Sequence, residues 1–186
     1  MKNNWPVKKL GEVATYINGR AFKQEEWATV GIPIIRIQNL TGTQDQFNYF
    51  NGKLEERYLI NRGDILLSWS ASLGVYIWDK EKAALNQHIF KVIPNVDEVN
   101  KDFLFYLLQT KVEEMKSKVH GGTMKHITKD VFEKIQIALP SLNDQKKIVE
   151  KLDTIRKAQE LIDLQKQLYK ELYVSVLSKS MKGEMD

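Results

Sequence analysis

Side chains that can contact the bases and phosphates of DNA occur in several short segments of the first 140 residues. Amide, hydroxyl and guanidinium groups can pair with base edges, and lysine and arginine can pair with phosphates. The segment around Gly121-Gly122 is locally basic, with no acidic residue between Lys116 and Lys129. The candidates for DNA contact are Arg20, Lys23, Arg36, Gln38, Asn39, Ser68, Ser72, Gln87, Thr123, Lys125 and His126.

Several kinds of catalytic site are excluded by what the sequence lacks. It contains no cysteine, which rules out disulfides, thiolate zinc sites and cysteine nucleophiles. Its ten glycines never form Gly-x-Gly, and the phosphate-binding Gly-x-x-x-x-Gly-Lys-Ser/Thr is missing. The three histidines do not show the His-x-x-x-His spacing of a metal site. We therefore expect a protein with no catalytic residues, no metal and no cofactor of its own.

Two DNA-modifying activities are also disfavoured by the residues present. The nearest approach to a metal-dependent nuclease motif, Glu114-Met115-Lys116 with Asp97 upstream, falls on a predicted helix rather than on a strand. A methyltransferase acting on exocyclic amines would need adjacent prolines and a glycine-rich cofactor turn. No two of the four prolines are adjacent, so neither activity is predicted.

The composition permits an anionic partner and indicates a chain that folds. The 186 residues include 28 Lys and Arg against 24 Asp and Glu, a formal net charge of +4. The longest apolar run, Phe103 to Leu108, is far shorter than the roughly 20 residues that span a bilayer. The N-terminal residues lack the apolar core of a signal peptide. We expect a cytoplasmic protein without a membrane partner.

The pattern of short apolar runs and turn residues predicts an α+β fold. Two helices are expected, a short one at Leu54–Tyr58 and a longer one at Val99–Val119. No proline follows Pro140, which marks a boundary between a mixed-strand domain at 1–140 and a helix at 141–186. The predicted strands are Ala14–Ile17, Pro33–Ile37, Asp64–Trp69, Val75–Trp78, Ile89–Ile93 and Lys134–Leu139.

The last segment predicts one long helix that forms a coiled coil. Ser141 can cap its N-terminus, and good helix formers continue to Ser178. An apolar stripe at this length needs a second helix to cover it, because apolar burial is worth roughly 25 cal/mol per Å². We therefore expect pairing through this helix. The stripe comprises Ile148, Leu152, Ile155, Ile162, Leu168, Leu172 and Val176.

The order and spacing of these segments resemble the specificity (S) subunits of type I restriction-modification systems, in a single-repeat or half form. The resemblance covers nearly the whole chain and ends in a Leu-Pro-x-Leu-x-x-Gln entry into the long helix. It rests on residues 5–13 (WPVKKLGEV), 34–40 (IIRIQNL), 63–68 (GDILLS), 85–88 (LNQH), 125–129 (KHITK) and 137–148 (IALPSLNDQKKI).

The resemblance implies a non-catalytic DNA reader within a larger complex. Residues 1–140 would form a target recognition domain for one half of a bipartite site, and the helix would dock methyltransferase subunits. S-adenosylmethionine would be bound by the methyltransferase partner, and a restriction subunit could join the complex.

The usual family member has two recognition domains and two long helices, whereas one of each is found here. A homodimer through the helix would supply the second set and would read an inverted repeat. Pairing with a different half subunit would instead give two unlike half-sites. The alternative to DNA reading is a coiled-coil scaffold, or a silent cassette without DNA specificity of its own.

Overall fold

The computed structural model describes residues 4–70, 72–118 and 128–183. It divides into two compact units, Met1–Gln145 and Lys146–Asp186. The second unit consists of one helix, which starts within the first unit, at Leu142. The boundary expected at residue 140 stays a prediction about domain function, since compactness alone places the division a few residues later.

The first unit is an α+β domain, as predicted. Its four helices before the long one are α1 (Leu10–Val13), α2 (Ile37–Thr41), α3 (Lys101–Lys118) and α4 (Lys129–Glu133), and the long one is α5 (Leu142–Lys182). Single 3₁₀ turns occur at Gln24–Glu26 and Glu56–Tyr58. The strands are β1 (Val7–Lys9), β2 (Ala14–Asn18), β3 (Ile32–Ile35), β4 (Asn48–Phe50), β5 (Leu59–Ile60), β6 (Ile65–Ser68), β7 (Gly74–Ile77), β8 (Ala83–Leu85), β9 (Ile89–Pro94) and β10 (Gln136–Ala138).

Within the described residues, the strands form three small sheets. One four-stranded sheet has the order β2-β9-β6-β7 and is antiparallel throughout. The other has the order β4-β3-β8-β5, in which β3 and β8 are parallel. The first and last strands of the domain, β1 and β10, pair in register from Val7 opposite Ala138. The two ends of the domain are thus joined by backbone hydrogen bonds.

The core lies between the two four-stranded sheets, where apolar side chains from both are buried together. Trp78 is nearly fully buried, and its indole nitrogen donates to the Glu81 carbonyl at 2.7 Å. Burial of so many branched side chains supplies the main driving force for folding. The central cluster comprises Ile35, Ile60, Leu66, Trp78, Ala83, Leu85 and Ile89.

Some predicted elements differ from those in the structure. The strand predicted at Pro33–Ile37 ends at Ile35, because Arg36 caps a helix that begins at Ile37. The helix predicted at Leu54–Tyr58 is only the 3₁₀ turn at Glu56–Tyr58. Strands β1, β4, β5 and β8 and helices α1, α2 and α4 were not predicted. Each of these is five residues or fewer, too short for a periodic pattern to emerge.

A buried glutamine fixes the first turn of α5 within the domain. Gln145 is completely buried. Its Nε2 donates to the carbonyls of Pro140, at 2.9 Å, and Glu98, at 3.1 Å. Its Oε1 accepts the backbone N–H of Asn100 at 2.7 Å. The glutamine of the Leu-Pro-x-Leu-x-x-Gln segment therefore satisfies three backbone groups that come from two distant parts of the chain.

The second unit is a helix with ion pairs at helical spacing and many exposed apolar residues. Arg156 and Glu160 form an ion pair at 2.8 Å, and Gln167 bonds to Glu171 at 2.9 Å, both at helical i,i+4 spacing. At 1.5 Å per residue the 41 residues of α5 extend about 62 Å. No helix in the described part of the chain is long and apolar enough to cross a membrane.

We predict that Gln145→Ala lowers the free energy of unfolding by about 3 kcal/mol, because it leaves buried backbone groups without partners. Urea unfolding followed by circular dichroism measures the change. Gln159→Ala, which removes a glutamine from the exposed surface of the same helix, is the matched control and should change stability by less than about 0.5 kcal/mol. Equal losses for the two variants would contradict the assigned role of Gln145.

Candidate nucleic-acid interface

A groove on the first unit gathers polar side chains from separate loops. Its volume is about 930 Å³. Its walls come from the segment after β2, the end of β3 with α2, the β6–β7 loop and the β8–β9 loop. The residues that line it are Phe22, Trp27, Ile34, Arg36, Ile37, Gln38, Thr41, Thr43, Ser70, Ser72, Asn86, Gln87 and His88.

The wall formed by α2 is shaped by a short, strongly capped helix. The Arg36 backbone N–H donates to Asn39 Oδ1 at 3.0 Å, and the Asn39 backbone N–H donates back to the Arg36 carbonyl. The helix ends at Gly42, whose φ of 71° is a left-handed conformation that glycine adopts without strain. These contacts hold Arg36 and Gln38 at the start of the helix, where both line the groove.

The opposite wall depends on two tight turns. In the β8–β9 loop, the Ile89 backbone N–H donates to the Asn86 carbonyl at 3.1 Å, and His88 follows as the last loop residue. In the β6–β7 loop, the Ser72 backbone N–H donates to the Ser70 carbonyl. The Ser70 hydroxyl lies 3.1 Å from Nδ1 of His88 and links the two loops.

A close approach of the chain to itself positions the β8–β9 loop. The Gly19 backbone N–H donates to the Ile89 carbonyl at 3.1 Å, and the next residue donates to Leu85. A Cβ at position 19 would lie 2.1 Å from the Asn86 carbonyl oxygen, so only glycine fits there. This contact packs the end of β2 directly against the loop that carries Gln87.

Four of the sequence candidates are brought together by the groove: Arg36, Gln38, Ser72 and Gln87. They come from three different loops and were nominated separately. The Oε1 atom of Gln87 is buried and has no hydrogen-bond partner in the described structure. Arg36 has no carboxylate within ion-pair distance among the described residues. The Arg36 guanidinium is available to a ligand that supplies hydrogen-bond acceptors, whereas the buried Gln87 Oε1 would meet a ligand only after the side chain turns toward the groove.

Three other candidates make structural contacts within the domain. The Ser68 side chain is fully buried, and its hydroxyl donates to the Ser72 carbonyl within the β6–β7 hairpin. Both ends of the Asn39 amide are used, since its Nδ2 donates to the carbonyls of Gln44 and Gln46. Arg20 forms an ion pair with Glu26. These contacts are structural, and the assignment of the three residues as DNA contacts stays a prediction.

The remaining candidates lie elsewhere. Lys23 is exposed and does not line the groove. Thr123, Lys125 and His126 lie outside the described residues, so their nomination stays a prediction. The groove also contains residues that sequence reasoning did not nominate, above all Trp27, together with Thr41 and Thr43. A tryptophan is usually read as a core residue, and only its exposed fraction of 37% reveals it as part of a surface.

No group of three or more metal-binding side chains occurs in the parts of the chain that the structure describes. The groove instead offers amide, hydroxyl, imidazole and guanidinium groups beside aromatic rings. This combination fits the edges and faces of nucleic-acid bases.

Comparison with known proteins agrees with this chemistry. Residues 2–173 match the model of the type I restriction modification DNA specificity domain. The chain belongs to this family. The specificity subunit of the type I restriction enzyme EcoBI from Escherichia coli is 30% identical over 155 residues, which cover 82% of this chain and 32% of that protein. The MjaVIII specificity subunit from Methanocaldococcus jannaschii is 29% identical over 185 residues, which cover 98% of this chain and 41% of that protein.

Solved structures show the same fold as this specificity domain. One match is a chain from a structure that describes complex assembly and conformational transition of the type I R-M system. Its TM-score is 0.73 and its sequence identity 22%, and the match covers 100% of this chain and 47% of that one. The HsdS subunit from Thermoanaerobacter tengcongensis matches with a TM-score of 0.68 and 21% identity, covering 100% and 46%. The chain thus spans between about a third and a half of the length of these relatives.

An ion pair and two aromatic rings hold the segment that carries Trp27 in this specificity domain. Arg20 lies 4.8 Å from the ring centroids of both Phe22 and Phe50, and its guanidinium donates to Glu26. Glu26 also accepts the Lys23 backbone N–H at 2.9 Å. The Lys23 backbone N–H and the Arg20 guanidinium hold the pKa of Glu26 below its usual range.

We predict that Glu26→Gln lowers the melting temperature at neutral pH and that the difference from wild type shrinks in acid. A carboxyl whose pKa is depressed in the folded state stabilises it above the unfolded pKa, and this contribution is lost as the pH falls through the folded pKa. The difference should therefore shrink as the pH drops below about 4.3, the ordinary carboxyl value.

The melting temperature, followed by circular dichroism between neutral pH and acid, tests this expectation. Glu25→Gln is the matched control, because it removes the same charge from the neighbouring position without breaking the pair with Arg20. A difference for Glu26→Gln that does not change with pH would contradict the role given to its carboxylate.

Proposed function

We propose that this chain is a DNA sequence-specificity subunit of a type I restriction-modification system. It reads one half of a bipartite target with its first unit and docks methyltransferase subunits. The observation that carries the proposal is the groove of a domain of this family, in which the Arg36 guanidinium has no carboxylate partner among the described residues and lies with the amides of Gln38 and Gln87. The unpaired Gln87 Oε1 costs about 1–3 kcal/mol, which would be recovered if the side chain turned to meet a base edge.

Affinity and specificity come from different groups in this proposal. Lysine and arginine contacts to phosphates supply sequence-independent affinity that falls as salt increases. Bidentate side chains in the groove supply discrimination of about 1–3 kcal/mol per base pair. The net charge of +4 is small, so the proposal assigns much of the DNA affinity to the assembled complex rather than to this chain alone.

The chemical steps belong to partners in this proposal. The chain has no catalytic role and takes no cofactor. S-adenosylmethionine is bound by the methyltransferase subunit, which modifies a base flipped out of the duplex. A restriction subunit, where one joins the complex, supplies the nuclease activity.

A second copy of α5 is the partner that we propose for the long helix. Leu168 and Leu172 are 55% and 58% exposed, and Ile155, Ile162 and Val176 are exposed as well, whereas Ile148 and Leu152 are half-buried. The next longest helix among the described residues, α3, has only 18 residues and cannot cover this stripe. Two antiparallel copies related by a two-fold axis would cover each other along their whole length.

The proposed symmetry determines the form of the target. Two identical recognition domains related by a two-fold axis read a half-site and its inverted repeat, separated by base pairs that are not contacted.

Selection from a random duplex DNA library, by the full chain assembled with its methyltransferase partner, tests this directly. An enriched inverted-repeat motif supports the proposal, and two unlike half-sites replace the homodimer with a pair of different half subunits. No enrichment by an intact complex overturns DNA reading and leaves a scaffold or a silent cassette.

We predict that Gln87→Ala relaxes the base preference at one position of the selected motif and leaves the other positions unchanged. Glutamine can pair with both the N6 and N7 atoms of adenine, and alanine cannot, so discrimination at that position should fall about tenfold. Binding to single-position variants of the selected site, in a fixed salt concentration, measures the change.

The matched control for this variant is Gln136→Ala, which removes an exposed glutamine from β10, outside the groove. It should leave the motif unchanged. An equal weakening of all sequences by Gln87→Ala would show that Gln87 supports binding without reading a base.

We predict that Leu168→Glu converts the dimer to a monomer, because a carboxylate in an apolar seam must be desolvated without a partner. Light scattering measures the mass, and circular dichroism verifies that the helix persists. Gln167→Glu introduces the same charge at the neighbouring position, which has no stripe residue three or four positions away on the helix, and should leave the mass unchanged. A dimer that survives Leu168→Glu would refute pairing through this stripe.

A further inference from the structure

Arg36 differs from the other arginines in its charge environment. Of the five arginines in the chain, Arg36 alone has no ion pair with a described residue. The four that are paired with carboxylates are Arg20, Arg57, Arg62 and Arg156. A guanidinium that keeps its full charge inside a groove remains free to bind an acceptor from a ligand.

The guanidinium of Arg36 has a defined position even without an ion pair. Its Cζ atom lies 5.5 Å from the ring centroid of Trp27, within the range of a cation–π contact. Both residues line the groove. A cation–π contact uses the attraction between the guanidinium charge and the ring and occupies none of the N–H groups as hydrogen-bond donors. The contact therefore favours one position of the guanidinium and leaves its donors for a ligand.

The backbone on both sides of this stack is fixed. Arg36 is the N-cap of α2, and its N–H and carbonyl are both bonded to Asn39. The Trp27 backbone N–H donates to the Gln24 carbonyl at 3.1 Å. On the neighbouring residue, the Ala28 N–H donates to the Tyr49 carbonyl at 2.9 Å. Little backbone freedom therefore remains to be lost when the arginine binds a ligand.

The neighbours of Arg36 in the groove favour a base over a phosphate as its ligand. Gln38 and Gln87 offer amides, which match base edges, and the Gln87 Oε1 is an acceptor that a phosphate cannot satisfy. No lysine lines the groove among the described residues. An arginine fork matches the two acceptors O6 and N7 of guanine, which lie side by side in the major groove.

We propose that Arg36 reads a guanine through its O6 and N7 atoms and that Trp27 is the positioning residue that aims its guanidinium. This inference rests on the proposed function and adds to it the identity of one base and the residue that reads it.

The test compares the DNA motifs selected by variants of the full chain assembled with its methyltransferase partner, using a random duplex library. The wild-type complex should select a motif with at least one guanine. Arg36→Lys keeps the charge but loses the fork, so discrimination at one guanine should fall about tenfold while the other positions and the salt dependence persist.

The variants of Trp27 test the positioning role. Trp27→Ala should relax the same guanine as Arg36→Lys, and Trp27→Phe, which keeps an aromatic face, should restore most of the preference. A purely structural loss would weaken all positions together and lower the melting temperature, so the melting temperature of each variant is measured as well. This readout separates a misfolded variant from one whose arginine has lost its orientation.

Arg57→Lys is the matched control. The Arg57 guanidinium also lies over an aromatic ring, 4.7 Å from the Tyr58 centroid. Arg57 is, however, paired with Glu55 and lies outside the groove. It should leave the motif unchanged. The inference is overturned if the wild-type motif contains no guanine, or if Arg36→Lys keeps every base preference. It is also overturned if Arg36→Lys weakens all sequences equally, which would identify a phosphate contact. A wild-type complex that selects no motif would refute the proposed function itself, and the inference with it.

Discussion

The buried amide of Gln145 holds together parts of the domain that are distant in sequence. Its two donors satisfy the carbonyls of Glu98 and Pro140, and its acceptor receives the Asn100 N–H. Asn100 in turn caps α3, because its Oδ1 accepts the backbone N–H of Phe103 at 3.0 Å. One side chain therefore connects the start of α3, the end of β10 and the first turn of α5. An apolar residue of similar size could fill the space but would leave these backbone groups unpaired.

The pairing of β1 with β10 acts together with this anchor. Because β1 and β10 pair, the two ends of the domain lie close to each other. The chain between them starts and ends at this pair of strands. The groove is lined mostly by connecting segments, namely the segment after β2, the start of α2, and the β6–β7 and β8–β9 loops. Loops held at both ends by a rigid scaffold can present different side chains without disturbing the core. The scaffold that folds is thus separate from the loops that form the proposed interface.

The fold was predictable from the sequence where local pattern and tertiary structure agree. Strands such as β6 and β9 contain branched apolar residues and lie in the centre of a sheet, and the predictions for them were close. Strand β8 has the sequence Ala-Ala-Leu, is fully buried, and exists because it pairs in parallel with β3 and antiparallel with β5. Nothing in three small residues predicts two such partners, since sheet pairing is a tertiary property.

In the candidate site, the sequence alone also could not predict which single side chains are free to bind a ligand. Arg36 and Asn39 lie three residues apart and have equally suitable chemistry for base contact. The structure separates them by their partners, because the Asn39 amide is consumed in capping α2 whereas the Arg36 guanidinium has no carboxylate within the described chain. Residue type gives what a side chain can bind, but only the fold decides whether that capacity is already used.

Arg20 and Arg36 make this argument most clearly, since both lie over aromatic rings near the same groove. Arg20 contacts two rings and a carboxylate, so its charge is neutralised and its role is to hold the segment that leads to Trp27. Arg36 contacts one ring and no carboxylate among the described residues. In the proposed interface, the first arginine stabilises the wall against which the second is stacked. In this proposal, recognition by Arg36 depends on the Arg20–Glu26 ion pair, which itself need not touch DNA. A variant of Arg20 or Glu26 would therefore alter specificity only through the position of Trp27.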